Sequence, residues 1–254
     1  MMAYVAKQVA DIADMPRGGP DASCLDRWLQ TGRPEYLDRD DVADEVKRGI
    51  VDTLDRVGTL FREHDRNAAL VLREVADVVD PKILELGAGH GALSRIVLDQ
   101  HPTAQVTISD VNPDSVAAIA ASELGRHPRA TVRVIDATAI DAADDGSFDL
   151  AVFALSFHHL PPEQAAQVLA EGTRVADRLL VIDLPRLPSL LHLAKLATFA
   201  PFVLWWPFAH DGFVSSLRAY SPSALRALAA HADLDVEVST SPFDRQVVLA
   251  RRKR

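Results

Sequence analysis

Cysteine is almost missing from this chain. Cys24 stands alone, which excludes an internal disulfide framework and fits a reducing compartment, so a cytoplasmic location is expected. An excess of positive charge is missing as well. Lys and Arg number 27 against 36 Asp and Glu, and a formal charge of −9 offers no general attraction to phosphate backbones; a nucleic-acid partner is disfavoured. The opening MMAYVAKQVADIADMP has neither a basic start nor a continuous apolar core, so no secretory signal is expected. Internal repeats and low-complexity tracts are absent, and the motif spacings suggest no metal-ligand set. What is present is ordinary for a soluble globular protein: 48% hydrophobic and 25% charged residues. A length of 254 residues allows one large α/β domain or two small ones.

The chain divides by pattern into a helical cap or arm over 1–64 and a main domain over 65–254. Residues 1 to about 40, with scattered Pro and Gly, read as a loosely ordered arm with a short helix, either a disordered extension or a flap over an active site. Val46, Ile50, Leu54, Val57, Leu60 and Phe61 then recur at the three-and-four spacing of an amphipathic helix. A second helix is expected over Arg66–Val78, ending before Pro81. Beyond it, apolar strands and helices alternate. KILELG, AQVTISDV, TVRVIDA, FDLAVFAL and DRLLVIDL read as strands, with helices between most of them, which implies a parallel sheet covered on both faces. The end differs: LDVEVST and RQVVLARR, joined by a short polar link, should form an antiparallel hairpin.

The decisive stretch is KILELGAGHGALS. Gly87, Gly89 and Gly91, with Ala88 between the first two, make G-x-G-x-G at a strand-to-helix turn, and Asp110 ends the following strand. Glycines and acid together indicate a nucleoside-bearing cofactor without choosing between NAD and S-adenosylmethionine. Three features favour the second. Glu85 would repel a pyrophosphate but not a cationic sulfonium. Asp136 ends the third strand, where it can accept from an adenine amino group. The terminal hairpin is not how a doubled mononucleotide fold ends.

In this order the motifs resemble the class I S-adenosylmethionine-dependent methyltransferases, over about residues 65–251. ILELGAGHG, ISDVNP, VIDATAI and DGSFDLAVFALSFHHL look like that family's first four motifs, and RVADRLLVIDLPR like its fifth strand. The resemblance implies an α/β, Rossmann-like sheet of seven strands in the order 3-2-1-4-5-7-6, strand seven antiparallel. It places the methionine moiety on Glu85 and the backbone of Gly87, Ala88 and Gly89. The ribose falls to Asp110, the adenine face to Val111, and the adenine edge to Asp136 and the amide of Ala137.

On the acceptor side, methyl transfer needs a nucleophile aligned and deprotonated, and a phenol is mostly protonated at neutral pH. His158 and His159 stand just past the fourth strand. His158 is a candidate base, as is His210 with Asp211 as its orienter, although a turn is the simpler account of HDGF. Residues 184–220 form an insertion after strand five, and residues 184–232 hold a single acid, Asp211, against Arg186, Lys195, Arg218 and Arg226. Within the insertion, the uncharged tract at 196–209 is too short to span a membrane and is expected to be broken by Pro201 and Pro207. It reads as a lid over a lipophilic acceptor, a peripheral membrane contact or a packing face, including that of a homodimer. The expectation is methyl transfer to an oxygen, or to a carbon of the same ring, in a small phenolic, polyketide- or quinone-like acceptor. An NAD-dependent oxidoreductase and a non-catalytic S-adenosylmethionine-binding partner protein are the alternatives.

Overall fold

The computed structural model describes residues 11–203, 205–240 and 245–253. The start of the expected arm (1–10), Leu204 within the apolar tract, the hairpin link at 241–244 and Arg254 lie outside them. Seven strands form one sheet: β1 Lys82–Leu86, β2 Gln105–Asp110, β3 Ala130–Val134, β4 Leu150–Ala154, β5 Leu179–Asp183, β6 Leu234–Thr240 and β7 Gln246–Arg252. Their order is β3-β2-β1-β4-β5-β7-β6, as the resemblance implies. The first five are parallel, whereas β7 runs antiparallel to both β5 and β6.

Strand alternation divides the core into two layers. Leu84, Leu86, Phe153 and Val181 face one side, packed with Val168 and Leu169 of helix Pro162–Val175 and with Leu225 and Leu228 of helix Pro222–His231. Ile83, Val106, Ile108, Val152, Leu180 and Ile182 face the other, against Ala68 and Val71 of helix Glu63–Glu74 and Val97 and Leu98 of helix Ala92–Gln100. Helix starts follow local chemistry. The Asn112 side chain accepts from the Asp114 amide ahead of helix Pro113–Ala121, and Ser221 accepts from Ala224 ahead of Pro222–His231.

In chain order the helices are α1 Cys24–Trp28, α2 Asp44–Leu60, α3 Glu63–Glu74, α4 Ala92–Gln100, α5 Pro113–Ala121, α6 Pro162–Val175, α7 Ser189–Val203, α8 Pro207–Arg218 and α9 Pro222–His231. Three expectations change. Helix α3 begins at Glu63 rather than Arg66. Pro201 lies inside α7 instead of ending it, near the C-terminal end. Pro207, as expected of a breaker, separates the two helices by opening α8, where its missing amide costs nothing. HDGF, expected as a turn, lies within α8.

The described part of the arm, 11–38, is not loose. Ile12, Arg17, Leu29 and Glu35 are buried. Arg186, just past β5, fixes it with three of its five hydrogen bonds, Nε to the Asp26 carboxylate and Nη2 to the carbonyls of Asp26 and Leu29, while Nη1 donates to the carbonyls of Leu217 and Ala219 at the end of α8. Asp211 of α8 accepts from the amides of Tyr36 (2.8 Å) and Leu37 (3.3 Å). The arm thus crosses the carboxyl edge of the sheet, where open α/β folds place ligands.

Candidate active site

The glycine loop runs from β1 into α4. Gly89 and Gly91 adopt φ of +57° and +73°, a region that side chains rarely tolerate. Their surroundings differ. A Cβ on Gly91 would meet Leu124 Cδ2 at 2.5 Å and displace the tip of that side chain, whereas Gly89 opens onto free space. Asp110, at the end of β2, holds the loop: its carboxylate accepts from the Gly89 amide at 2.9 Å and from the Asn112 amide at 2.9 Å. The next residue, Val111, is exposed beside it, an apolar surface at a strand end. Asp136, two residues past β3, accepts from both the amide and hydroxyl of Thr138, and Ala137 packs on the core.

Glu85 lies beneath this loop, buried in β1 and hydrogen-bonded to the Ser94 hydroxyl. Burial pushes its pKa up to about 7, against the lowering effect of Ser94. The charge that the sequence suggested near the loop is therefore conditional on pH.

Farther along the edge, β4 ends in a 3-10 turn, Phe157–His159, that carries two histidines beneath the arm. His158 is 4% exposed; its Nδ1 lies 2.7 Å from Asp183 Oδ1 at the end of β5, and its Nε2 lies 3.6 Å from Glu35 Oε1. Burial opposes its charge, but the Asp183 and Glu35 carboxylates outweigh it and push the pKa to about 9. Burial would raise the Glu35 pKa, yet His158, His159 and the Ser215 hydroxyl hold it below its ordinary value. His159 bonds Asp38 through Nδ1 at 3.1 Å, and Arg218 donates to the same carboxylate. Asp38 is held at about 2: burial opposes that shift, and His159 and Arg218 overcome it.

His210 occupies the outer end of α8. It stacks on Tyr36 with ring centroids 3.9 Å apart, and its Nδ1 meets Asp211 Oδ1 at 2.9 Å. Adjacent residues on a helix rarely converge in this way. Here the arm makes it possible, because the Tyr36 and Leu37 amides hold the Asp211 carboxylate in place. With Nδ1 taken, Nε2 is left to exchange a proton, and the side chain is 22% exposed.

Residues 83–178, which include the glycine loop, Asp110 and both histidines of the 3-10 turn, match the family model described as a methyltransferase domain. The sheet order and the motif order agree with that match. The chain carries a class I S-adenosylmethionine-dependent methyltransferase domain. A malonyl-[acyl-carrier protein] O-methyltransferase of Geobacter sulfurreducens is 34% identical over 140 residues, which are 55% of this chain and 50% of that relative. The chain thus spans half the length of the curated relative it matches. Among solved structures, the plantazolicin methyltransferase BpumL in complex with SAH superposes with a TM-score of 0.63 at 13% identity, over 98% of this chain and 100% of that one. Human N-acetylserotonin methyltransferase in complex with SAM gives 0.59 at 20% identity, over 91% and 66%. At such identities the likeness is one of fold.

Within this methyltransferase domain, Glu85, Gly87, Ala88, Gly89, Asp110 and Val111 come together around one loop. Asp136 and Ala137 follow the neighbouring strand β3. The two base candidates are separated: His158 is enclosed between Asp183 and Glu35, whereas His210 stands toward solvent. The residues that sequence reasoning missed are those of the arm, Glu35, Tyr36 and Asp38. They carry no motif, and their partners lie more than a hundred residues away.

Proposed function

We propose that the chain transfers a methyl group from S-adenosylmethionine to a phenolic or enolic oxygen of a small lipophilic acceptor. The observation that carries this reading is the open space over Gly89, whose amide Asp110 holds, beside the exposed Val111. Free space over a left-handed glycine admits a cofactor backbone, and Val111 offers adenine an apolar face. Asp110 would hold the ribose, Asp136 and the Ala137 amide the adenine edge, and Glu85 with Gly87 and Ala88 the methionine end. When bound, the cofactor supplies a methyl carbon activated by a sulfonium leaving group. His210 Nε2 would take the acceptor's hydroxyl proton, leaving the oxygen free to accept the methyl group. Asp211 fixes the ring for the task. His158, enclosed on both ring nitrogens, positions the arm instead.

The acceptor's character rests on α7 and the α7–α8 link. Leu190, Leu191, Phe202, Trp205 and Trp206 are exposed there, with Trp205 at 87%. The relative that is named an O-methyltransferase supports oxygen over carbon. The same apolar face is proposed to touch a membrane surface that holds the acceptor, or a second copy of the chain. No helix among the described residues is long and apolar enough to cross a membrane.

Calorimetric titration with S-adenosylhomocysteine, with NADH in parallel, tests the cofactor. Binding of NADH alone overturns the reading. A panel of lipophilic phenols with labelled methyl donor then tests the acceptor, and transfer to a polar amine in their place removes that part. Cofactor binding without turnover on any acceptor would favour a non-catalytic binding partner.

A further inference from the structure

Beyond methyl transfer, we propose that Glu35, His158 and His159 bind one divalent transition-metal ion of the zinc type. One ligand atom from each of the three lies within 4.8 Å of the others. They come from two segments far apart in sequence, the arm and the turn after β4.

The orientation of the rings is the main argument. Each imidazole gives its Nδ1 to a carboxylate, His158 to Asp183 at 2.7 Å and His159 to Asp38 at 3.1 Å. Each turns its Nε2 toward Glu35, at 3.6 Å from Oε1 and 3.9 Å from Oε2. A carboxylate behind the Nδ1 of each histidine is the arrangement by which proteins orient metal-binding imidazoles. The Nε2 separations are too long for good hydrogen bonds. They lie close to the roughly 3.3 Å expected between two ligands bonded at about 2.0–2.1 Å to a tetrahedral ion. Binding would draw the three ligand atoms, now within 4.8 Å of one another, inward onto the ion.

Charge points the same way. Glu35 and Asp183 bring two buried carboxylates to the histidines, and Asp38, at the exposed side, pairs with Arg218. With both imidazoles neutral, as metal ligation requires, a dication would balance Glu35 and Asp183. Two nitrogens and a carboxylate oxygen suit zinc, and equally cobalt as its spectroscopic substitute, better than magnesium or calcium. A fourth ligand, a water or an acceptor oxygen, would reach the ion from the side of His159, the partly exposed member of the three. Since Glu35 belongs to the arm, the ion would also tie the arm to the sheet edge.

The test uses the untagged full chain, stripped with chelator and titrated with Co2+ under visible absorption, then with Zn2+ in competition. One equivalent should bind with a micromolar or tighter Kd and develop d–d bands, and binding should protect residues 11–38 from protease. Glu35→Gln and His159→Gln should each weaken binding about 100-fold or more, and Asp38→Asn about 10-fold. His231→Ala, at an exposed position on α9, should leave it unchanged. Circular dichroism confirms that each variant is folded; His159 is partly exposed, so at least that variant should fold. Absence of stoichiometric binding, or binding that survives both Glu35→Gln and His159→Gln, overturns the proposal and leaves a hydrogen-bonded charge cluster. Neither result bears on cofactor binding at the glycine loop.

Discussion

Asp110 and Gly89 are joined by a hydrogen bond of 2.9 Å from the glycine amide to the carboxylate, so the acid of β2 holds the loop after β1. Asp110 thus shapes the loop, and in the proposed reading the same carboxylate would also hold the cofactor's ribose.

Asp110→Ala should therefore weaken S-adenosylhomocysteine binding by about 1.5–3 kcal/mol, the range for hydrogen bonds to charged groups. Calorimetry reads this directly. An unchanged affinity would mean that the nucleoside lies elsewhere.

Glu85 makes stability depend on pH. Its folded pKa, raised by burial to about 7, exceeds that of the unfolded chain, so the protonated carboxyl's contribution is complete below about 4.5 and lost as pH rises through 7. Glu85→Gln keeps an acceptor for Ser94 and removes the ionisation. Its stability relative to the parent should rise between pH 4.5 and 7 and level off above. Urea unfolding at pH 5 and pH 8 measures the difference, and parallel profiles for the two proteins would refute the assignment. Cofactor binding near pH 6 should also release protons, because a cationic ligand favours the carboxylate.

Arg186→Met should free the arm. The side chain is almost fully buried and all of its bonds tie α1, the β5 edge and the end of α8 together. Removing a buried partner of this kind costs about 3–5 kcal/mol. Limited proteolysis should then cut between residues 11 and 38 well before the sheet. Simultaneous loss of the whole domain would show that arm and domain unfold as one unit.

The sheet was legible because each of its signals is local. Apolar runs give the strands, the three glycines mark the turn, and the polar link marks the hairpin. Asp110 and Glu85 could be placed since their strands fix their positions. The arm was not legible, because nothing in Asp26, Glu35 or Asp38 distinguishes them from solvated acids. The excess of arginine over acid in residues 184–232 was visible, and its explanation lay outside that segment: Arg186 pairs with Asp26, and Arg218 with Asp38. HDGF misled for the opposite reason. Its turn-forming residues are overridden in α8, where Asp211 serves the amides of the arm instead of its own backbone.

His210 carries the chemistry in this reading, and a substitution can separate that role from packing. Phenylalanine at 210 retains a flat ring to stack on Tyr36 and removes both nitrogens, and Asp211 keeps its two backbone donors. His210→Phe should thus fold and bind S-adenosylhomocysteine like the parent. Its kcat on a phenolic acceptor should fall about 100- to 10,000-fold, the usual contribution of a positioned base. Raising the pH should restore part of the loss, because an acceptor already ionised in solution needs no base, and the variant's rate should climb with the acceptor's own pKa. A variant that instead loses KM with kcat intact would make His210 a binding residue and return the search for a base to the other groups along the sheet edge.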